Sequence, residues 1–178
     1  TGFCEPFLNP WASWMMRHAK EQGFRVVLIT TLTGFTQNDA KALKGVILDE
    51  VLIHEYEGVP INYPLFEKKI KWLSATGNEF KRFKLSDEYR WSRAGNLWDR
   101  KTMTGKVECG WTGREFYRNV VLPNGDVYLC CMDYSLKHKL GNIYEQHYND
   151  LNRKQIIDLC DSEGSELICR KCEMCKNI

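Results

Sequence analysis

The first half of the chain alternates between apolar patterns of helical period and short, continuous apolar runs. After residue 7, apolar side chains recur every three to four positions, which predicts a helix that buries one face and ends at Gly23. The predicted buried positions of this helix are Trp11, Trp14, Met15, His18 and Ala19. Residues 24–30 (F-R-V-V-L-I-T) are almost entirely apolar, as expected of a strand buried on both faces of a parallel sheet.

A second cycle of the same kind follows. The patterns predict a helix over 36–43, one or two strands over 46–54 and an amphipathic helix over 65–73 (L-F-E-K-K-I-K-W-L). Helices that alternate with buried strands indicate an α/β layer with right-handed crossover connections. An open sheet of this kind has an exposed edge strand, which would provide a surface for oligomer formation.

The pattern changes between residues 120 and 130. The segment V-V-L-P-N-G-D-V-Y-L-C consists of two apolar runs around a Pro-Asn-Gly-Asp turn, which predicts a β-hairpin. The second strand leads into Cys130, and a C-x2-C pair follows at Cys169 and Cys172. A hairpin that faces such a pair would complete a pocket of thiolates, so this region is predicted to bind metal.

The cysteine pattern favours metal binding over disulfide formation. Seven of the eight cysteines lie between Cys109 and Cys175. Disulfides require an oxidising compartment, and the chain opens T-G-F-C-E-P, without the charged and apolar regions of a secretory signal. Cys130 and Cys131 are adjacent, and C-x2-C pairs more often hold metal or carry redox chemistry. We therefore expect a cytoplasmic protein with a metal site.

The kind of metal stays open at this point. Four thiolates in tetrahedral array suit zinc and iron–sulfur clusters alike. In either case the thiols have to be deprotonated and held together, so metal binding is expected to be coupled to folding of the C-terminal region.

The segment T-G-F-C-E-P-F-L-N-P, followed by a helix and R-V-V-L-I-T-T-L-T-G, resembles the middle of a radical SAM enzyme core. In that family a Gly-Gly-Glu-Pro segment ends the second barrel strand and contributes to the S-adenosylmethionine pocket. The matching positions are Phe3, Cys4, Glu5 and Pro6, so both glycines are replaced. The resemblance implies a partial, incomplete parallel α/β barrel over residues 1–100, with Glu5 as a cofactor-binding residue.

The C-terminal part is similar to the auxiliary-cluster module called SPASM, or twitch in its shortened form. That module carries a cysteine, then 9–15 residues, G-x4-C and a final C-x2-C. Here fifteen residues separate Cys109 from Gly125, four separate Gly125 from Cys130, and the tail L-I-C-R-K-C resembles the closing pair. The resemblance implies a small metal-binding module of a β-hairpin and a helix over residues 101–178.

Two departures limit what the resemblance implies. The family's C-x3-C-x2-C motif, which binds the cluster that cleaves S-adenosylmethionine, does not occur in this sequence. The C-x5-C-x3-C spacing of modules with two clusters is also absent. We expect one auxiliary site, no radical chemistry by this chain alone, and use of S-adenosylmethionine only with a preceding segment that carries the missing motif. The chain starts at threonine rather than methionine, as expected of a fragment of a longer enzyme.

The resemblance assigns the ligands of one [4Fe–4S] cluster, with Zn²⁺ as the alternative metal. The expected ligands are Cys109, Cys130, Cys169 and Cys172, with Cys175 as the substitute for Cys169.

The remaining cysteines and two of the histidines are expected to have no ligand role. Cys131 should point away from its neighbour, because adjacent strand residues face opposite sides. Cys160 should pack as a helix residue, and Cys4 should fill a place where the family has glycine. His18 is expected in the core, and His54, beside Glu55 and Glu57 at a strand end, is expected in a solvated loop.

Composition restricts the possible partners. The 178 residues are 43% hydrophobic and 27% charged with a net charge of +2, and no apolar run is long enough to cross a bilayer. The basic runs 68–71 and 81–84 are expected to be solvated faces rather than nucleic-acid sites. Two hypotheses result: the cluster-binding portion of a radical SAM oxidoreductase acting on a peptide, protein or small metabolite, or a zinc-binding structural or interaction module without catalysis.

Overall fold

The computed structural model describes residues 4–56, 62–85 and 92–178, which form two compact units. The first unit contains the described residues up to 85, and the second contains those from 92 onward. Phe3 and Glu57, which the sequence analysis considered, lie outside the described residues.

The first unit is an α/β layer, as predicted. Its elements are a 3-10 turn at Pro6–Leu8, α1 (Ala12–Glu21), β1 (Val27–Thr30), α2 (Gln37–Leu43), β2 (Glu50–Tyr56), α3 (Tyr63–Ser74) and β3 (Lys81–Leu85). Helices and strands alternate along the chain, and the three strands form a parallel sheet in the order β1-β2-β3. The α/β class is thereby confirmed, and closure into part of a barrel stays a prediction.

Local signals set the starts of two of these helices. Thr36 and Asp39 form a reciprocal capping box at the start of α2, in which each side chain accepts a hydrogen bond from the backbone N–H of the other. The side chain of Asn62 accepts from the backbone N–H of Leu65, and Pro64 occupies the first turn of α3. These caps explain why the predicted helices at 36–43 and 65–73 lie close to the observed ones.

The strands bury alternate residues rather than both faces. In β2 the side chains of Val51 and Ile53 are buried and those of Leu52 and His54 are only partly so. In β1 Leu28 is buried, whereas Val27 is exposed. The expectation of strands buried on both faces is therefore wrong for the described part of this sheet, and its core lies mainly on one side.

The predicted buried face of α1 is also wrong. Trp11, Trp14, Met15 and His18 are exposed, and the helix buries Ala12 and Ser13. The hydroxyl of Ser13 donates to the carboxylate of Asp39 at 2.6 Å. This buried hydrogen bond fixes which side of α1 faces α2. Periodicity alone could not detect it, because the anchor is polar.

The second unit is built from shorter strands. Its elements are β4 (Val107–Cys109), β5 (Val120–Val121), β6 (Asp126–Tyr128), β7 (Lys139–Asn142), α4 (Arg153–Asp161) and β8 (Cys175–Asn177), with 3-10 turns at Tyr148–Asp150 and Ile168–Lys171. Strands β5 and β6 form the predicted hairpin, β7 extends it as an antiparallel sheet, and β4 pairs antiparallel with β8. Within the described residues, no helix has the length and apolar character needed to span a membrane.

The second unit starts earlier than residue 101. The backbone N–H of Ser92 donates to the carboxylate of Glu173 at 2.6 Å, and Lys171 forms an ion pair with Asp99 at 2.6 Å. These contacts attach residues 92–100 to the C-terminal unit, whereas the sequence analysis had assigned them to the first. The interactions are polar and distant in sequence, so no composition change marked them.

Candidate metal centre

Five cysteine side chains line one pocket of the second unit: Cys109, Cys130, Cys169, Cys172 and Cys175. Four of them are the predicted ligands and the fifth is the substitute. The rest of the lining is largely apolar, including Phe116, Leu129, Met132 and Ile168. Among the described residues, no three His, Cys, Asp or Glu side chains are grouped so that they could hold a metal ion.

Cys109 reaches the pocket from the end of β4. It lies directly opposite Cys175 in the pairing of β4 with β8, which places both side chains on one face of the ribbon. The next residue, Gly110, donates its N–H to the carbonyl of Met174 at 2.6 Å. A Cβ atom at Gly110 would lie 2.6 Å from that carbonyl oxygen, so only glycine permits this close approach.

Cys130 follows β6 of the hairpin, as predicted. The backbone N–H of Asp133 donates to the Cys130 carbonyl at 3.1 Å and closes the turn after it. Burial raises the pKa of the Cys130 thiol to about 12, although the nearby backbone N–H groups of Met132 and Asp133 oppose the shift. In the metal-free chain this thiol is therefore protonated at neutral pH, and a metal has to displace the proton.

Cys172 and Cys175 are joined by a tight turn. The backbone N–H of Met174 donates to the Cys172 sulfur at 3.4 Å, and the backbone N–H of Cys175 donates to the Cys172 carbonyl at 3.2 Å. Burial raises the pKa of Cys172 to about 11. Backbone N–H groups that point at a sulfur favour its thiolate form once a metal compensates for burial.

Cys169 lies deeper than the other four thiols and is 7% exposed. Hydrogen bonds with the thiols of Cys160 and Cys175, together with burial, raise its pKa. Cys160 is fully buried in α4, as predicted for a helix residue. The place of Cys160 in the same core as these thiols could not be predicted from the sequence, because one cysteine in a helix gives no spacing signal.

The two other cysteines lie outside this pocket. Cys131 is half-buried beside Cys130 and is not part of the lining. Cys4 is exposed in the first unit.

Glu5, the predicted cofactor residue, is held at the end of β1. Its carboxylate accepts hydrogen bonds from the hydroxyl of Thr30 at 2.5 Å and from both the backbone N–H and the hydroxyl of Thr31 at 2.6 Å. Gly34 permits the 3-10 turn that follows Glu5 to pack against the loop after β1, because a Cβ there would lie 2.2 Å from the Phe7 carbonyl oxygen. The carboxylate is thus oriented before any ligand binds.

A cavity of about 410 Å³ opens at the same edge of the sheet. It is lined by the ends of β1 and β2 and the start of α3, which is where α/β folds bind small molecules. The ammonium group of Lys69 is in its wall and donates to the carbonyls of Leu32 at 2.8 Å and Thr33 at 2.5 Å. Burial lowers the pKa of Lys69, and the nearby carboxylate of Glu5 opposes this.

His54 lines this cavity, which differs from the solvated loop expected for it. It belongs to β2 and is half-buried, with its ring at 6.4 Å from that of Phe83 in an edge-to-face contact. Glu55 beside it is buried and forms an ion pair with Arg82. This hydrogen bond lowers the pKa of Glu55 and keeps it charged.

The comparisons with known proteins concern both units. Residues 109–176 match the family model of SPASM, described as an iron–sulfur cluster-binding domain. The chain is similar to the crystal structure of BtrN in complex with AdoMet and 2-DOIA, with a TM-score of 0.65 and 17% identity over 98% of this chain and 70% of BtrN. It is also similar to selenomethionine BtrN in an open conformation, with a TM-score of 0.57 and 18% identity over 99% and 68%. None of the curated proteins matches this chain.

Residues 109–176 therefore form a SPASM-type iron–sulfur cluster-binding domain. The chain as a whole is similar in fold to BtrN. The family model thus supports the SPASM-type resemblance found in the C-terminal sequence, and the structural likeness agrees with the α/β fold expected for the first unit.

Proposed function

We propose that the second unit binds one [4Fe–4S] cluster and that the chain is the cluster-binding portion of a radical SAM-type oxidoreductase. The observation that carries this proposal is the set of five thiols that line one pocket within the SPASM match. The chemistry of the pocket suits such a group, because its donors are thiols and the backbone N–H of Met174 donates to the Cys172 sulfur.

The ligands in this proposal are Cys109, Cys130, Cys172 and Cys175. The β4–β8 pairing supports Cys109 and Cys175 together, and the turn from Cys172 to Cys175 supports that pair. The sequence-based set has Cys169 in place of Cys175. Cys169 is more deeply buried than Cys175, which favours a packing role behind the ligands.

A cluster bound here would supply one-electron redox chemistry or an iron atom that binds substrate. The protein contributes a largely apolar lining and the N–H group that donates to Cys172, which would tune the redox potential. Because the sequence has no C-x3-C-x2-C motif, catalysis would depend on a cluster held by another segment.

The first unit would contribute to the S-adenosylmethionine site. Glu5 and Lys69 place an oriented carboxylate and a buried ammonium at the same edge of the sheet. Such a pair is complementary to the ammonium and carboxylate of an amino acid, which is the form of the methionyl end of S-adenosylmethionine. The substrate, whether a peptide, a protein or a small metabolite, is left open.

The test is a panel of Cys→Ser variants, purified without oxygen and reconstituted with iron and sulfide. Serine at Cys109, Cys130, Cys172 or Cys175 should remove most of the iron and the brown absorbance of the cluster. Serine at Cys169, or at the control position Cys131, should leave most of the iron and most of the brown absorbance in place. Loss of iron in Cys169→Ser with retention in Cys175→Ser would restore the sequence-based set.

Zinc is the alternative occupant, because a four-thiolate site also suits it. A wild-type chain that takes up about one zinc, and no iron or sulfide after reconstitution, would contradict the cluster and support a structural site.

A further inference from the structure

Arg170 is a buried cation next to the predicted cluster pocket. Its side chain belongs to the 3-10 turn Ile168–Lys171, directly after Cys169, and it is 1% exposed. Within the described parts of the chain, no carboxylate lies within 4 Å of its guanidinium group. A buried charge without a counter-charge is costly, so its presence requires a specific reason.

All of its hydrogen bonds go to neutral groups. The guanidinium donates to the carbonyls of Met103 at 3.1 Å and Gly105 at 2.8 Å, and to the hydroxyl of Ser165 at 2.8 Å. It also donates to three carbonyls at the C-terminal end of α4, those of Leu159, Cys160 and Ser162. The negative end of that helix compensates part of the charge, but no full negative charge faces it.

The group that could supply that charge is the cluster. A [4Fe–4S] core with four thiolate ligands carries net negative charge, and it becomes more negative on reduction. Arg170 follows Cys169, which lines the pocket, and its guanidinium donates to the carbonyl of Cys160 in the same core. The cation is therefore buried next to the residues that form the pocket wall.

We propose that Arg170 is the buried counter-charge of the cluster and raises its reduction potential. This inference rests on the proposed function, because it requires a cluster in the pocket. A cation near the cluster stabilises the reduced form more than the oxidised form. The same side chain ties residues 103–105 and the end of α4 to the cysteine turn, so cluster retention also depends on it.

The experiment is an anaerobic redox titration of the reconstituted full chain, followed by electron paramagnetic resonance of the reduced cluster. Arg170→Gln should shift the oxidised-to-reduced ratio at a fixed potential on the order of tenfold toward the oxidised form, which corresponds to about 59 mV for one electron. Arg170→Lys, which keeps the charge but loses most of the hydrogen bonds, should stay close to wild type in potential while it melts at a lower temperature.

A second pair of variants leaves Arg170 and its fold in place. Ser165→Asp puts a carboxylate against the guanidinium Nε and should lower the potential as Arg170→Gln does. Ser165→Asn, of nearly the same shape but neutral, should not. This pair keeps the test valid if Arg170→Gln does not fold.

Arg114 is the matched control. It also donates to a carbonyl of α4, that of Ile157 at 3.3 Å, but it is compensated by Asp161 at 2.7 Å and is partly solvent-exposed. Arg114→Gln should leave the reduction potential unchanged.

The proposal that Arg170 is the counter-charge would be contradicted if the cluster forms normally but has the same reduction potential in wild type, Arg170→Gln and Ser165→Asp. Absence of any cluster in wild type would instead contradict the proposed function.

Discussion

The two units of this chain are stabilised by different interactions. The core of the first consists of aliphatic and aromatic side chains between a parallel sheet and its helices, including Leu28, Ile53 and Leu73. The core of the second contains Cys160 and Cys169, and five further cysteines pack against it. Its strands are two to four residues long, which is little for independent stability. The first unit has a core large enough for stability without a metal, whereas we expect the stability of the second unit to depend on what its thiols bind.

Metal removal should give the largest difference in stability between the two units. Chelation of the reconstituted chain should lower, without abolishing, the amide protection of residues 107–177 and leave that of α1–α3 almost unchanged, because only the second unit is expected to be coupled to metal binding. Hydrogen exchange measured by mass spectrometry, before and after chelation, reports both units at once. Equal loss of protection in both would contradict the comparison.

A cavity in the core of the first unit should destabilise that unit and leave the second unit unchanged. Leu73 is fully buried in α3, so Leu73→Ala should destabilise the first unit by about 2–5 kcal/mol. The iron content of the second unit should not change. Thermal unfolding followed with iron analysis checks both results, and a fall in iron in step with the loss of stability would show that the units are not independent.

Gly110→Ala should damage the cysteine pocket without changing a thiol. The added Cβ would meet the Met174 carbonyl oxygen at 2.6 Å, which costs roughly 1–3 kcal/mol and shifts the turn between Cys172 and Cys175. Iron retention after desalting should fall. The control is Gly164→Ala, where a Cβ has open space and only the positive φ of +74° is unfavourable. It should lose about 1 kcal/mol and keep its iron.

The smallest expected effect is a pH dependence of the metal-free chain. The pKa of Cys130 is raised to about 12 and that of Cys172 to about 11, so the folded state favours neutral thiols. Their contribution to stability is complete below the ordinary thiol pKa and is lost as the pH rises toward these values. Melting temperatures of the metal-free chain should therefore decline above about pH 9, and those of the loaded chain should not. An alkaline decline of equal size in both forms would contradict this account.

Features that depend on a repeating pattern or a fixed spacing of residues could be predicted from the sequence. Alternation of helices and strands indicated the α/β class, the Pro-Asn-Gly-Asp turn indicated the hairpin, and cysteine spacing indicated the SPASM-type module. The C-x2-C-x2-C run left Cys169 and Cys175 as alternatives, because spacing does not show which thiol is deeper. The strand pairing of Cys175 with Cys109 supports Cys175 in the proposed ligand set.

What the sequence could not show depends on isolated polar contacts. Ser13 turns α1 toward Asp39, so the apolar stripe with Trp11 and Trp14 is exposed rather than buried. Lys69 and Arg170 gave no signal, because both lie among other charged residues in the sequence and only tertiary structure buries them.

The central claim is that the second unit holds an iron–sulfur cluster. Its most direct test is the iron, acid-labile sulfide and zinc content per chain, measured on wild-type protein purified without oxygen and again after reconstitution. The account predicts about four irons and four sulfides per chain, with little zinc. About one zinc without sulfide in both preparations, or no metal in either, would contradict it.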